Sequence, residues 1–380
     1  MKQRRRDPYL VKSIVHATQV LQTFREPGEV LRLRDVVERA RLGKGMCFRL
    51  LHTLTRCGFL ERAGESHYRM AGEARRRNRH RIGYAAQGQD TSFPREVQEG
   101  LLAAARREDL EVVVVDNRYQ PKVALRNAER LVRERVELVI EFQTDESVAP
   151  AIASKYFEAD IPLIAIDVPH PGATYFGANN YQAGLLAGRH LARWAQARWF
   201  GKVDEVLLLQ LDRAGSLVRG RMSGVLAGIR EALPESNGYR VVSLDGDGQH
   251  DVSRERVRRY LRRSKARRVL VAAANDPSAL GAARALQESG RAGQCAIVGQ
   301  NAEPDARVEL RSPGTPLIGS VGYFPERYGD GLVRLALDIL ARRHTPPALF
   351  IRHQLLTQDN VDHLYPNDAL LGLPAARAHG

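Results

Sequence analysis

The sequence predicts a two-lobed α/β domain preceded by a small winged helix-turn-helix domain, and three observations predict it. From Arg81 onward, short apolar runs alternate with amphipathic helical patterns, as βα units of parallel sheet do. Two such sets of similar length follow one another, which gives two lobes with a cleft between them. Ahead of them, three helical patterns and a hairpin fit within about 65 residues, and the charge changes at the same place. Residues 1–81 carry 20 Lys and Arg against 8 Asp and Glu, a net of +12, whereas the other 299 residues carry 38 against 36. A basic first fifth on a nearly neutral body points to a nucleic-acid-binding module joined to something else. The boundaries read as a winged helix-turn-helix over 1–73, a basic linker over 74–81, a two-lobed domain over 82–366 and a tail over 367–380. The first lobe takes about 82–178 and 324–352, and the second about 179–323 and 353–366.

From Tyr9 to Phe24, Val11, Ile14, Val15, Leu21 and Phe24 make one amphipathic helix, which Pro27-Gly28 ends. A second helix puts Leu33, Val36, Val37 and Ala40 on one face. A third, from about Lys44 to Arg56, buries Cys47, Leu50, Leu51 and Leu54 and shows Gly45, Arg49, His52, Thr53 and Arg56 on the opposite face. Phe59–Arg62 and His67–Met70 flank Gly64-Glu65 as a short hairpin. Ala74–Arg81 holds five arginines in eight residues, either a linker held to phosphates or an exposed basic run.

Beyond Arg81, strands are expected at 82–86, 112–115, 138–140, 163–166, 175–178, 206–209, 240–243, 269–271, 296–298 and 355–356, buried on both faces and separated by helices. Leu332–Leu340 reads as the last helix. The clearest unit runs from Arg268 to Asn301: an apolar run stopping at Asn275-Asp276-Pro277, a helix, and a second run stopping at Gly299-Gln300-Asn301. Ligands of open parallel sheets bind outside the carboxyl ends of the strands. There Asn275, Asp276 and Asn301 offer amide and carboxylate groups suited to a hydroxyl-rich ligand. Asn275 equally suits a helix cap.

A hydrophobic content of 43% over 380 residues excludes disordered and fibrous classes. Cys47, Cys57 and Cys295 are odd in number and lack metal-ligand spacing, and Cys47 and Cys57 are expected to be small buried thiols. That usage points to a reducing compartment. Lys12 and His16 interrupt the apolar stretch behind the basic start, and no membrane-spanning run of about 18 apolar residues occurs. The expectation is a cytoplasmic protein without membrane contact, cofactor or metal. Leu244–Asp251 is only faintly like a calcium loop, because its ligand order is wrong and no closing glutamate stands at the required distance, and it reads as a turn. His250 within it is a candidate for lining the cleft.

The N-terminal segment resembles the DNA-binding domain of the isocitrate-lyase-regulator family. The resemblance rests on Leu31, Leu33, Val36, Leu42 and Lys44, then Arg49-Leu50-Leu51, Thr53-Leu54, Gly58-Phe59 and Tyr68-Arg69. Where that family has a small hydroxylated pair after the lysine, this chain has Gly45-Met46. The resemblance implies that the third helix enters the major groove, with Arg49 placed for a bidentate contact to guanine and Lys44 for a phosphate. His52, Thr53, Arg56 and Arg69 complete the expected DNA-binding set.

Residues 82–366 resemble the sugar-binding fold shared by periplasmic pentose- and hexose-binding proteins and the effector domains of lactose-repressor-type regulators. Its landmarks here include Ala165-Ile166-Asp167, Asn179-Asn180, Arg221 with Gly224, Ala274-Asn275-Asp276, Val298-Gly299 and Gln358–Asp362. The resemblance implies a ligand site at Phe93, Phe142, Asp167, Arg221, Asn275, Asn301 and Tyr323. By the same resemblance Asp167 would accept from sugar hydroxyls, Arg221 would bind a hydroxyl or ring oxygen from the opposite lobe, and Phe93 would pack on a sugar face. Phe142 stands where some relatives have asparagine, Asn301 where aspartate is frequent, and Val168 where pentose binders carry arginine.

Together these readings predict a non-enzymatic transcription regulator. It is expected to bind operator DNA as a homodimer or higher homo-oligomer and to respond to a small polar effector, a monosaccharide or related polyol. The rival is a cytoplasmic α/β enzyme acting on a carbohydrate with a basic accessory domain. It requires a nucleophile or general base with partners in the cleft, and no G-x-S-x-G, P-loop or H-E-x-x-H motif supplies one.

Overall fold

The computed structural model describes residues 11–26, 28–71, 80–233 and 238–368. The chain divides into two compact units, Met1–His80 and Arg81–Gly380. Of the expected basic linker, residues 74–79 lie outside the described residues, as do 369–380 of the expected tail.

The first unit holds α1 (Lys12–Leu21), β1 (Val30–Arg32), α2 (Leu33–Ala40), α3 (Lys44–Arg56), β2 (Leu60–Arg62) and β3 (His67–Met70). Its core is Val20, Leu31, Val36, Cys47, Leu51, Leu54, Leu60 and Tyr68. β3 lies between β1 and β2, antiparallel to both, so the wing is three-stranded where a hairpin was expected. β1 was missed because only Leu31 is buried in its three residues, too short a run to show an alternation. Cys57, expected to be a buried thiol, is exposed, since it caps α3 on the helix's solvent side.

The second unit is built on two six-stranded sheets. The first has the order β14-β8-β7-β6-β4-β5 and the second β10-β9-β11-β12-β13-β15. In chain order the elements begin β4 (Arg81–Ala86), α4 (Ser92–Arg107), β5 (Glu111–Asp116), α5 (Pro121–Arg133), β6 (Leu138–Glu141), α6 (Ala149–Glu158), β7 (Leu163–Ile166) and β8 (Thr174–Gly177). They continue as α7 (Asn180–Trp199), β9 (Glu205–Gln210), α8 (Gly215–Ala232), β10 (Arg240–Asp245), α9 (His250–Arg263), β11 (Val269–Ala273), α10 (Asp276–Glu288) and β12 (Cys295–Asn301). The last are α11 (Pro304–Leu310), β13 (Leu317–Gly322), α12 (Tyr328–Leu340), β14 (Ala348–Phe350), β15 (Gln354–Leu356) and α13 (Val361–Leu364). All pairings are parallel except β13–β15.

Central strands β6, β7, β11 and β12 are buried at every residue, as unbroken apolar runs between helical layers must be. The outer strands β5 and β10 are not, contrary to the expectation of burial on both faces; each has one neighbour and shows residues such as Val114 and Val241 to solvent. α11, β13, β14 and α13 were also missed. Gly319 and Gly322 interrupt β13, and the other three span seven residues or fewer. The body continues past residue 366, where a tail was expected to begin, because Asp368 is buried.

The chain passes between the sheets after β8, β13 and β14, and the three crossings touch. The Asn179 amide donates to His353 Nε2 at 3.0 Å, and the Tyr323 and His353 rings lie 4.7 Å apart. α7 and α8 pack at unusually close range: a Cβ on Gly184 would stand 1.9 Å from the Arg221 carbonyl oxygen. The glycine therefore lets α8 seat Arg221 against the start of α7.

Candidate functional site

Segments following the strands of both sheets surround one cavity of about 810 Å³. Phe93, Phe142, Asp167, Arg221, Asn275 and Asn301, all expected in the ligand site, line it. Tyr323 does not. It is 1% exposed, its hydroxyl donates to Gln300 Oε1 at 3.1 Å, and the Arg221 guanidinium sits 5.0 Å from its ring centre. Tyr323 backs Arg221 from behind the wall. Phe93, in the first turn of α4, meets Phe142 edge-on at 6.2 Å in the cavity lining and is backed by Tyr323 and Tyr328 at 6.3 and 5.8 Å, so Phe93 and Phe142 give the cavity an apolar side that buried tyrosines support.

Asp167 follows β7 in the left-handed region, at φ 59°. Such strain in a non-glycine residue persists where the surroundings fix it. Here the Ala178 amide donates to Oδ1 at 3.0 Å and the Tyr328 hydroxyl reaches the same oxygen at 3.4 Å. Burial pushes its carboxyl up to about 6, opposed by the field of Arg221, the Ala178 amide and Tyr328. Arg221 donates from Nε to Asn180 Oδ1 at 2.6 Å and from Nη1 to the Ala274 carbonyl at 2.5 Å. Its partners orient it within the second lobe, and it acts on Asp167 through space, not as a structural ion pair.

Asn275 caps a helix and stands in the cavity lining. Its Oδ1 accepts from Ser278 N at 3.1 Å as the cap of α10, and its Nδ2 donates to the Gly248 carbonyl at 2.8 Å while the residue lines the cavity. Asp276 also reaches the cavity lining but is held from behind by the Ser320 hydroxyl at 2.7 Å and the Glu303 amide at 2.8 Å. Its burial and the nearby Glu303 push its pKa upward.

Several cavity residues escaped the sequence reading. Glu303 is buried, accepts from Asn301 Nδ2 at 2.8 Å, and accepts from the Ser92 hydroxyl at 2.8 Å across the cleft. Thr144 lines the cavity with a buried hydroxyl that has no partner among the described residues. At the mouth, Arg213 of the second lobe lies 6.0 Å from the Tyr119 ring of the first and 3.4 Å from Asp247. The available signal was position: each follows a strand end by a few residues. His250 lines the cavity too.

In the first unit, Lys44, Arg49, His52, Thr53 and Arg56 are all exposed on α3. α3 opens at Lys44 behind an extended Gly43 with no side-chain cap, which leaves amide donors for an anion at a helix N-terminus. Arg69 is partly buried and donates to Glu61 on the neighbouring strand of the wing. Phe48, not singled out by its sequence position, is 49% exposed beside His52 and Lys44 on the same helix.

A winged helix with an exposed basic helix, followed by two mainly parallel sheets around a polar cavity, defines a DNA-binding module fused to a two-lobed solute-binding domain. Residues 82–344 match the periplasmic binding protein domain family, and residues 13–64 match the IclR helix-turn-helix domain. The chain belongs to the periplasmic binding protein domain family and carries an IclR-type helix-turn-helix ahead of that domain. The ribose import binding protein of Salmonella typhimurium is 24% identical over 247 residues, covering 64% of this chain and 79% of that protein. Among solved structures, a periplasmic solute binding protein from Actinobacillus succinogenes with bound D-allose superposes with a TM-score of 0.65 at 18% identity, covering 75% of this chain and 99% of that one. A Bacillus halodurans solute binding protein with bound myo-inositol gives 0.66 at 21%, covering 76% and 98%. Neither matching family is an enzyme family. Among the described residues, no helix is long and apolar enough to cross a membrane.

Proposed function

We propose that this chain is a transcription regulator whose operator affinity is set by a monosaccharide or related polyol bound between the two sheets of its second unit. The observation that carries the reading is the cavity. Phe93 and Phe142 give one side of it aromatic surface, and buried Asp167, Arg221, Asn301 and Glu303 stand around it. Ring C–H surface suits the first, and hydroxyls that donate and accept suit the second. The sugars and polyols in the related solute binding proteins are the chemistry such a wall would take.

In this reading Asp167 and Glu303 accept from hydroxyls, Arg221 and Asn275 donate, and Lys44, Arg49, His52, Thr53, Arg56 and Arg69 face the operator. Asp167 and Glu303 belong to loops on different sheets, so a ligand joining them favours one lobe arrangement over another. It can shift that equilibrium only by its difference in affinity for the two states, so coupling of roughly 1–3 kcal/mol is expected. Two copies in a homodimer would turn lobe movement into a change of spacing between DNA-binding domains.

The test is a calorimetric screen of D-ribose, D-allose, myo-inositol and other sugars and polyols, with product analysis of every hit. Asp167→Ala and Arg221→Ala should each weaken a hit at least about tenfold, because each leaves polar partners unpaired at a desolvated site. A hit indifferent to both substitutions would place the ligand elsewhere, and turnover of a hit would replace the regulator with an enzyme.

A further inference from the structure

The turn that carries Asn301 and Glu303 is strained, and its support comes from the C-terminal end of the described chain. Asn301 has φ 108° and the next residue, Ala302, has φ 59°, two consecutive non-glycine residues in the left-handed half of conformational space. Such a turn persists only when its surroundings over-determine it. Three hydrogen bonds do so: Ala302 N donates to Ser320 Oγ at 3.0 Å, Glu303 N to Asp276 Oδ2 at 2.8 Å, and Arg307 Nη1 to the Ala302 carbonyl at 2.8 Å. The first two partners sit on the sheet and its adjoining helix. The third is itself held from outside the lobe's βα frame. Arg307 Nε and Nη2 form a bidentate pair with Asp368 at 2.8 and 2.9 Å, and its guanidinium lies 3.8 Å from the Tyr365 ring. Arg307 and Asp368 are both buried, and Arg311 adds a further bond to Asp368 at 3.0 Å.

We propose that Asp368 and Tyr365 are positioning residues of the cleft, acting through Arg307 to hold the Asn301–Ala302 turn in the form that presents Asn301 and Glu303 to the ligand. A buried ion pair is weak evidence for stability by itself. A bidentate guanidinium fixes orientation as well as charge, however, and the donor left over from the fork points at the strained turn. The C-terminal segment thereby sets ligand affinity without touching the cavity. The proposal rests on the cleft being the sugar site, and the test separates the two.

Full-length Asp368→Asn is compared with wild type by amide hydrogen exchange without ligand and by calorimetry with D-ribose, D-allose and myo-inositol. Exchange at Ala302 and Glu303 should accelerate by roughly tenfold or more while the central strands β11 and β12 stay protected. Sugar affinity should fall by about tenfold or more, since the first contacts lose their preorganisation. Adding Ala302→Gly should recover part of that affinity, because glycine adopts the left-handed conformation without strain. A general loss of packing would show no such rescue. Unchanged exchange at the two amides overturns the proposal, as does faster exchange with unaltered affinity. If wild type binds neither these three nor any other sugar or polyol of the screen, the reading of the cleft fails, and the exchange result alone decides whether the C-terminal segment holds the turn. Should Asp368→Asn not fold, Tyr365→Leu, which removes the ring beside the guanidinium, carries the same readouts and outcomes.

Discussion

The Ser92 hydroxyl, at the start of α4 in the first lobe, donates to the Glu303 carboxylate of the second lobe at 2.8 Å. The two residues are 211 positions apart in sequence, so this bond joins loops that only the fold brings together. A second link has the same character: the Glu146 carboxylate of the first lobe accepts from Ser216 N in the first turn of α8 at 3.3 Å. Both favour the arrangement in which the cavity walls face each other.

Ser92→Ala should therefore shift the lobes toward separation. A hydrogen bond to a charged group contributes about 1.5–3 kcal/mol, so sugar affinity should fall by roughly tenfold or more. Small-angle scattering of the ligand-free variant should show a larger radius of gyration. Unchanged affinity and an unchanged radius would mean that the bond does not bias the lobes.

Asp167 links binding to pH. Burial raises its carboxyl from 3.8 to about 6, with Arg221, the Ala178 amide and Tyr328 pulling the other way. Between those values the folded protein holds a proton that the unfolded chain has released. The stability of the ligand-free protein therefore falls as pH rises through this window, by an amount on the order of 2–3 kcal/mol. A sugar hydroxyl donating to the carboxylate favours the ionised form, so binding should tighten as pH rises through about 6 and release a proton there. Calorimetry in buffers of different ionisation enthalpy measures that release. Asp167→Asn should raise the melting temperature above about pH 7 while weakening sugar binding. An affinity flat between about pH 5 and about pH 8 would show that the sugar does not contact the ionised group.

Part of this site was legible because its residues sit where a regular pattern stops. Asn275 and Asn301 end apolar runs, and a break in a βα repeat marks the ligand side of the sheet, whereas Asp167 and Arg221 came from the resemblance. Glu303 follows a strand end by two residues, but that position alone did not single it out, since its importance comes from Ser92 on another lobe and from a turn whose φ values no local pattern announces. Tyr323 was assigned to the cavity by the resemblance alone, since β13 ahead of it went unread. It turns instead into the space between Arg221 and His353, a choice made by packing across three chain crossings. The short elements went unread for a related reason. β1 and β14 each span three residues and owe their existence to the strands beside them, β3 and β8.

The DNA face makes a separate prediction. With a net charge of +12 confined to residues 1–81, binding should weaken steeply with salt through release of counterions. Arg49→Ala should cost about 1–3 kcal/mol and relax preference at one base pair, whereas Lys44→Ala should weaken all sequences alike. Fluorescence anisotropy on an operator panel distinguishes them. If Arg49→Ala lowers every sequence by one factor, Arg49 contacts a phosphate.

The central claim is that the cavity and the winged helix are coupled, and one titration tests it most directly. Full-length protein is titrated onto a labelled operator fragment, with and without a saturating sugar that calorimetry has shown to bind. Wild type should show a shift in operator affinity of roughly 5- to 150-fold, the range that coupling of this kind provides. Asp167→Ala should move that shift to higher sugar concentration and leave ligand-free affinity within about twofold, because Asp167 belongs to the second compact unit and not to the winged helix. A sugar that binds the cavity tightly and leaves operator affinity unchanged would contradict the account.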